Sequence, residues 1–224
     1  MDKEQSQTVI KSKNEIIEVT HELTEKFGQP GYDFAKHELL WEGEEGEAKL
    51  RLPVSVTVSE SAEINWDAEV TYLMLIVQTG MATLGVFQNE KCLSHKVFSA
   101  YMVRKKQGKS QIKYLKTKGK SRAGSRVRLA SGQEFFGDVN ERLQTYFNEY
   151  EFDRILYSIS KILVPHVFDA KYNTPFGKQD TRLLKISRHV EKPTHEEMIR
   201  SQRFMNMAEL KQSRSESQGD EIAW

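Results

Sequence analysis

Eleven cations fall within the 25 residues "RKKQGKSQIKYLKTKGKSRAGSRVR", Arg104 to Arg128, with no Asp or Glu among them. They are Arg104, Lys105, Lys106, Lys109, Lys113, Lys116, Lys118, Lys120, Arg122, Arg126 and Arg128. Gly108, Gly119 and Gly124, with Ser110, Ser121 and Ser125, are interleaved with them. Small residues let backbone N–H groups come close to phosphate oxygens. Arginine adds planar forked contacts to phosphate, and lysine adds a compact point charge. Gln111 and Tyr114 can hydrogen-bond to, or stack on, bases and sugars. The chemistry this supports is recognition of a polyanion, with RNA favoured and no DNA partner expected; its affinity would depend steeply on salt. The plain alternative is a solvated lysine-rich loop. The length of the run, its lack of any compensating acid and its glycine–serine interleaving weigh against that.

Other chemistries fit poorly. Both "GKS" triplets invite a nucleotide-binding reading, but the Walker pattern needs a glycine five positions before the Gly of GKS. Those positions hold Val103 and Tyr114. No G-x-S-x-G nucleophile elbow and no H-E-x-x-H metal motif occurs. His189 and His195 stand six apart around a proline, and His21, His37, His95 and His166 are scattered, so no metal site is expected. Cys92 is the single cysteine, which excludes an intramolecular disulfide and a cysteine-rich zinc site. No cofactor is indicated.

The longest apolar run, Val70–Val77, is eight residues, against the roughly 20 that a membrane helix needs. The first residues lack the apolar core of a secretory signal. A cytoplasmic location without a membrane partner is the expectation.

What must position the basic stretch? The chain has 224 residues and a mean hydropathy of −0.62, enough for one large domain with a small appendage. Of its 33 Lys and Arg, 22 lie outside the basic stretch and face 32 Asp and Glu, so the positive charge is local. Residues 1–12 are polar and aperiodic and read as disordered. Ile16, Val19, Leu23 and Phe27 have helical spacing, ended by Gly28 and Pro30. Leu50, Leu52, Val54, Val56 and Val58 alternate around Pro53, which predicts an edge strand. Residues 13–65 thus form an N-terminal helix–strand subdomain or arm, containing an acidic segment at Trp41–Glu47.

The main domain is expected over 66–210. Three strands are predicted: a buried one in "EVTYLMLIVQTG", then "MATLGVFQNEK" after a turn at Thr79–Gly80, then "HKVFSAYMV". The third delivers the chain into the basic loop. A helix follows, capped by Ser131 and Glu134, with Phe135, Phe136, Val139, Leu143, Tyr146, Phe147 and Tyr150 on one stripe. "DRILYSIS" and "RLLKISRHV" read as strands, "KILVPHVFD" as a short helix that Pro165 must either start or break, and Thr194 as the cap of a final helix reaching Leu210. Residues 211–224 read as a disordered tail. Alternating strands and helices predict an α/β fold, a mixed β-sheet flanked by helices.

In order, "HKVFSAYMVRKKQGKSQ", "SRAGSRVR", "VNERL" and "EKPTHEE" resemble the Vms-type release factor domain. That is the domain of the ankyrin-repeat and zinc-finger peptidyl-tRNA hydrolases, a branch of the archaeo-eukaryotic class-one release factors. The matching positions are Tyr101, Val103, Arg104, Gly108 and Gln111, then Ser121, Gly124 and Arg128, then Pro193, Thr194 and Glu197. The resemblance covers about residues 66–210 and suggests a compact prokaryotic member. It implies a fold like the middle domain of those release factors, with a small N-terminal extension.

The resemblance also implies action on peptidyl-tRNA in the large ribosomal subunit, with Gly108 and Gln111 as the catalytic pair and the eleven cations as RNA contacts. Cleavage of the tRNA 3′ end, which would make the protein an endonuclease, and a non-catalytic ribosome-binding role are the alternatives.

Overall fold

The computed structural model describes residues 5–44, 46–59, 61–100, 120–170 and 172–214, with 5, 120–131 and 214 described by their backbone alone. The chain divides into two compact units: Met1–Val70 with Gln202–Trp224, and Thr71–Ser201.

In the first unit, helix α1 (Lys13–Phe27) starts where the Ser12 hydroxyl accepts from the Glu15 N–H at 3.3 Å. It stops at Gly28, whose φ of 87° is costly for any residue with a Cβ. Ile16 and Leu23 are buried, as their spacing predicts. They join Leu39, Trp41, Ala48 and Leu50 in one core. The sheet beneath runs β1 (Gln5–Ile10), β12 (Ala208–Arg214), β4 (Gly46–Arg51), β3 (Glu38–Gly43) and β2 (Gly31–Asp33), with every neighbouring pair antiparallel. A two-stranded ribbon, β5 (Thr57–Val58) with β6 (Ile64–Asn65), completes the unit.

Four expectations change here. Gln5–Ile10, inside the stretch read as disordered, pairs residue for residue with β12, and Lys211–Arg214 of the expected tail lie in β12 itself. The polar composition of both segments hid them, because each obtains its hydrogen bonds from a strand about 200 residues away. The predicted edge strand is also central: β4 sits between β12 and β3 and ends at Arg51, before Pro53 could interrupt the ladder. The final helix, α4 (His195–Met205), stops short of Leu210, and its last carbonyls are received by the buried Arg51. The guanidinium donates to the Phe204 and Met205 carbonyls at 3.4 and 3.3 Å and pairs with Glu209 at 3.4 Å. A cation at a helix C-terminus offsets the orphan carbonyls there.

The second unit is built on a mixed sheet in the order β11 (Leu183–Lys185), β10 (Arg154–Ile159), β7 (Thr71–Gln78), β8 (Met81–Gln88), β9 (Lys91–Ser99). β10 is parallel to β7 and β11, whereas β8 and β9 are antiparallel to their neighbours. Leu73, Leu75, Val77, Ala82, Leu84 and Val86 point to one face. There they meet Phe135, Phe136, Val139, Leu143 and Tyr146 of α2 (Lys120–Glu149) and Val167 of α3 (Val164–Phe168). Tyr72, Met74, Ile76, Thr83 and Gly85 point to the other face and are buried as well. Burial on both faces is why Leu73–Val77, the centre of β7, is unbroken by polar residues.

Three boundaries differ from expectation. β9 starts at Lys91, four residues before the predicted strand. α2 begins at Lys120, eleven residues before the predicted cap, so Ser131 lies inside the helix and forms no capping box. Lys120, Arg122, Arg126 and Arg128 therefore have helical backbone, where charge density alone suggested a loop. The stretch lacks proline and contains good helix formers, which composition read as loop overlooks. The strand predicted over "RLLKISRHV" shrinks to Leu183–Lys185.

Candidate functional site

Nine of the sequence-predicted site residues, Arg104, Lys105, Lys106, Gly108, Lys109, Gln111, Lys113, Lys116 and Lys118, lie outside the described residues, as do Tyr101 and Val103. What the structure describes is the frame that holds both ends of their segment. On one side, the Ala100 N–H donates to the Gly80 carbonyl at 2.8 Å. Gly80 turns β7 into β8 with a φ of 75°, so the chain enters the basic segment fastened to a tight turn of the sheet.

On the other side, α2 is seated by its apolar stripe and by polar ties. The Tyr146 hydroxyl lies 3.1 Å from the Ser94 hydroxyl on β9, and burial pushes the phenol's pKa up, which keeps it protonated. The buried Asn140, within "VNERL", donates from Nδ2 to the Val167 and Tyr172 carbonyls, both at 2.7 Å.

The third sequence motif, "EKPTHEE", is fixed to the same sheet. Gln78, the last residue of β7, donates from Nε2 to the Val190 carbonyl at 2.6 Å. The fully buried Thr83 hydroxyl donates to the Pro193 carbonyl. Thr194 N–H reaches back to Lys192 O at 2.8 Å, closing a tight turn around Pro193. Thr194 Oγ1 then accepts from Glu197 N–H at 3.2 Å, which is the predicted helix cap. Glu197 is buried and lies 3.0 Å from Arg188 Nη2 and 3.0 Å from Arg200 Nη1, clipping the segment shut. Pro193, Thr194 and Glu197 are thus structural supports.

Beyond them, the His195 ring lies over the His95 ring, centroids 4.2 Å apart at 35°. Met198 packs where Gly85 has no side chain; a Cβ there would lie 2.5 Å from its sulfur.

Sequence reasoning missed Gln78, Thr83 and Asn140 as positioning residues. Two left a trace: Thr83 is the polar member of the buried "MATLGVF" alternation, and Asn140 interrupts the apolar stripe of α2. Cys92 carries no sign of reactivity. Burial raises its thiol pKa, and Sγ donates weakly to Ser94 O at 3.6 Å. Among the described residues no group of three or more His, Cys, Asp or Glu is placed to hold a metal ion. No described helix is long and apolar enough to cross a membrane.

Charge divides with the fold. Thr71–Ser201 holds 23 Lys and Arg against 12 Asp and Glu, a net of +11. The other unit holds 10 against 20, a net of −10.

Residues 72–213, more than half of the chain, match the family model described as Bacteroidetes VLRF1 release factor. The chain belongs to that family. The match runs from β7 to β12 and includes all four motifs quoted above. VLRF1 membership gives the protein a release-factor-like role in ribosome rescue, hydrolytic in kind, and with it interaction with the ribosome. No curated protein sequence matches the chain. Among solved structures, a chain titled "Vms1 mitochondrial localization core" is similar over 89% of this chain and 83% of that one, at 13% identity and a TM-score of 0.47.

Proposed function

We propose that the protein is a peptidyl-tRNA hydrolase that frees stalled nascent chains in the large ribosomal subunit through Gly108 and Gln111. The observation that carries this reading is the Gly108-x-x-Gln111 spacing, which lies within the family match and between two elements, β9 and α2, that are anchored to one sheet. The peptidyl transferase centre is walled by RNA phosphates, and a protein segment entering it must be thin and cationic. Gly108 and Ser110 supply thinness, and the surrounding lysines and arginines supply charge. Gln111 is neutral and needs no pKa tuning. Its amide can orient a water against the ester carbonyl and hydrogen-bond to the oxyanion as the tetrahedral centre forms. The leaving ribose oxygen takes a proton as the ester bond breaks, and much of the catalysis belongs to the ribosome.

The test is release from stalled ribosome–nascent-chain complexes by wild type and Gln111→Ala. The substitution is expected to abolish release while ribosome binding persists; undiminished release would remove Gln111 from catalysis. The released tRNA reports the reaction. An intact CCA end accompanies ester hydrolysis, whereas a truncated end would make the protein a tRNA 3′-end endonuclease.

A further inference from the structure

We infer that Lys192 and the closely packed His95–His195 pair form a second RNA-contacting surface beside the root of the basic segment. The inference rests on the proposed release function only in taking its ligand to be the RNA of that complex.

Position is the first argument. Gln78 and Gly80 belong to one turn. Gly80 holds Ala100, the last described residue before the basic segment, and Gln78 holds Val190. The Val190–His195 segment is therefore fixed within a few residues of the point where that segment departs. From Val190 the chain crosses the face of the sheet opposite α2, through Thr83 on β8 to His95 on β9.

Rigidity is the second. Three consecutive features immobilise the backbone around Lys192: the bond from Gln78 to Val190 O, the turn from Thr194 N–H to Lys192 O, and the bond from Thr83 to Pro193 O. Burying a side-chain hydroxyl to hold a neighbouring carbonyl is a costly way to leave a lysine in solvent; here it fixes where an exposed cation stands.

Chemistry is the third. His95 is exposed and His195 half-buried, so their rings, tilted 35° against each other, offer an open aromatic surface rather than core packing. Val97, next on the same face of β9, is 40% exposed and extends the apolar strip. An exposed aromatic face beside a fixed cation suits an unpaired nucleotide, with the base on a ring and the phosphate on the lysine. Of the two nearby acids, Glu196 is occupied by its own backbone N–H and the Thr194 hydroxyl, which hold its pKa low; Glu191 is exposed.

The experiment measures binding of the full chain to stalled ribosome complexes across a salt series, all variants carrying Gln111→Ala so that no substrate is consumed. His195→Ala should weaken binding roughly fivefold or more, the low end of a stacking contact. His195→Phe, which keeps a ring, should restore it. Lys192→Ala should lower the slope of log affinity against log salt by roughly 0.7–0.9. Thermal unfolding of each variant identifies any that fail to fold; if His195→Ala is one, His95→Ala, compared with His95→Phe, takes its place as the probe.

Wild-type affinity and slope in His195→Ala and Lys192→Ala would overturn the proposal. So would weakened binding with an unchanged slope and no rescue by Phe, which would assign the surface to a ribosomal protein. Unaltered peptide release by Gln111→Ala, measured separately, would remove the catalytic reading without touching these binding results.

Discussion

Gln78 donates from its side-chain amide to the carbonyl of Val190, 112 residues further along the chain, at 2.6 Å. Two residues on, the Gly80 carbonyl receives the N–H of Ala100. One turn of the sheet thereby fastens both the "EKPTHEE" segment and the departure point of the basic segment. The strength of that fastening can be measured. Thr83→Val keeps the shape of the buried side chain but removes its hydrogen bond to Pro193. It should cost about 1–3 kcal/mol in urea unfolding, because the carbonyl is left without its donor. Thr83→Ser should recover most of the loss.

Asn140 is a second fastening. It donates to two carbonyls from a fully buried position on α2. Asn140→Leu should destabilise by roughly 2–4 kcal/mol, since both carbonyls lose a donor. Asn140→Asp should be worse, because a carboxylate cannot donate to either and adds a buried charge. Denaturant midpoints at constant m-value give the comparison.

At Gly85 the sheet has room for Met198 and nothing more. A Cβ would come within 2.5 Å of the methionine sulfur and 2.7 Å of the Phe87 ring. Gly85→Ala should destabilise by about 1–3 kcal/mol through overpacking. The double variant with Met198→Ala should lose less than the sum of the two single losses, as residues that touch do.

Acid should weaken the first unit through Glu209. Burial works to raise its pKa, but hydrogen bonding and charge from Lys211 and Arg51 outweigh this and hold it below the usual carboxylate range. A folded pKa below the unfolded one contributes stability at pH above the ordinary glutamate value. That contribution is lost as pH falls through the lowered folded value. Stability measured from pH 7 downward should therefore fall in that window, and less steeply in Glu209→Gln. Arg51→Met should cost about 3–5 kcal/mol, because it takes the buried cation away from the buried Glu209 and uncaps α4.

The basic stretch makes its own quantitative prediction. Replacing Lys116, Lys118 and Lys120 with Ala should weaken binding to ribosomes and flatten its salt dependence by roughly 0.7–0.9 for each phosphate that is no longer neutralised. An unchanged slope would identify these lysines as solvated bystanders.

Where structure is decided locally, the sequence was readable. β7 and β8 are buried on both faces and therefore appear as continuous apolar runs. The α2 stripe follows the 3.6-residue period, and Thr194 caps α4 from three residues before Glu197. What escaped is decided across the chain. β1 and β12 are polar strands that stabilise each other, and neither looks like a strand alone. β4 becomes central only because the C-terminal segment returns to pair with it. The start of α2 was obscured because eleven cations in one stretch suggest solvent whatever backbone carries them. Of the site, the residue types and their spacing were visible; the turn that anchors their frame was not, since Gln78 and Thr83 act only on partners more than a hundred positions away.

The split of charge between the two units has a consequence for binding. A net charge of +1 would leave a uniform protein almost indifferent to RNA. With +11 on one unit and −10 on the other, a polyanion pulls on the first and pushes on the second. The pull on a polyanion is thus a property of the Thr71–Ser201 unit and is hidden in the charge of the whole chain. At physiological salt such forces act only within about 8 Å of a charged surface.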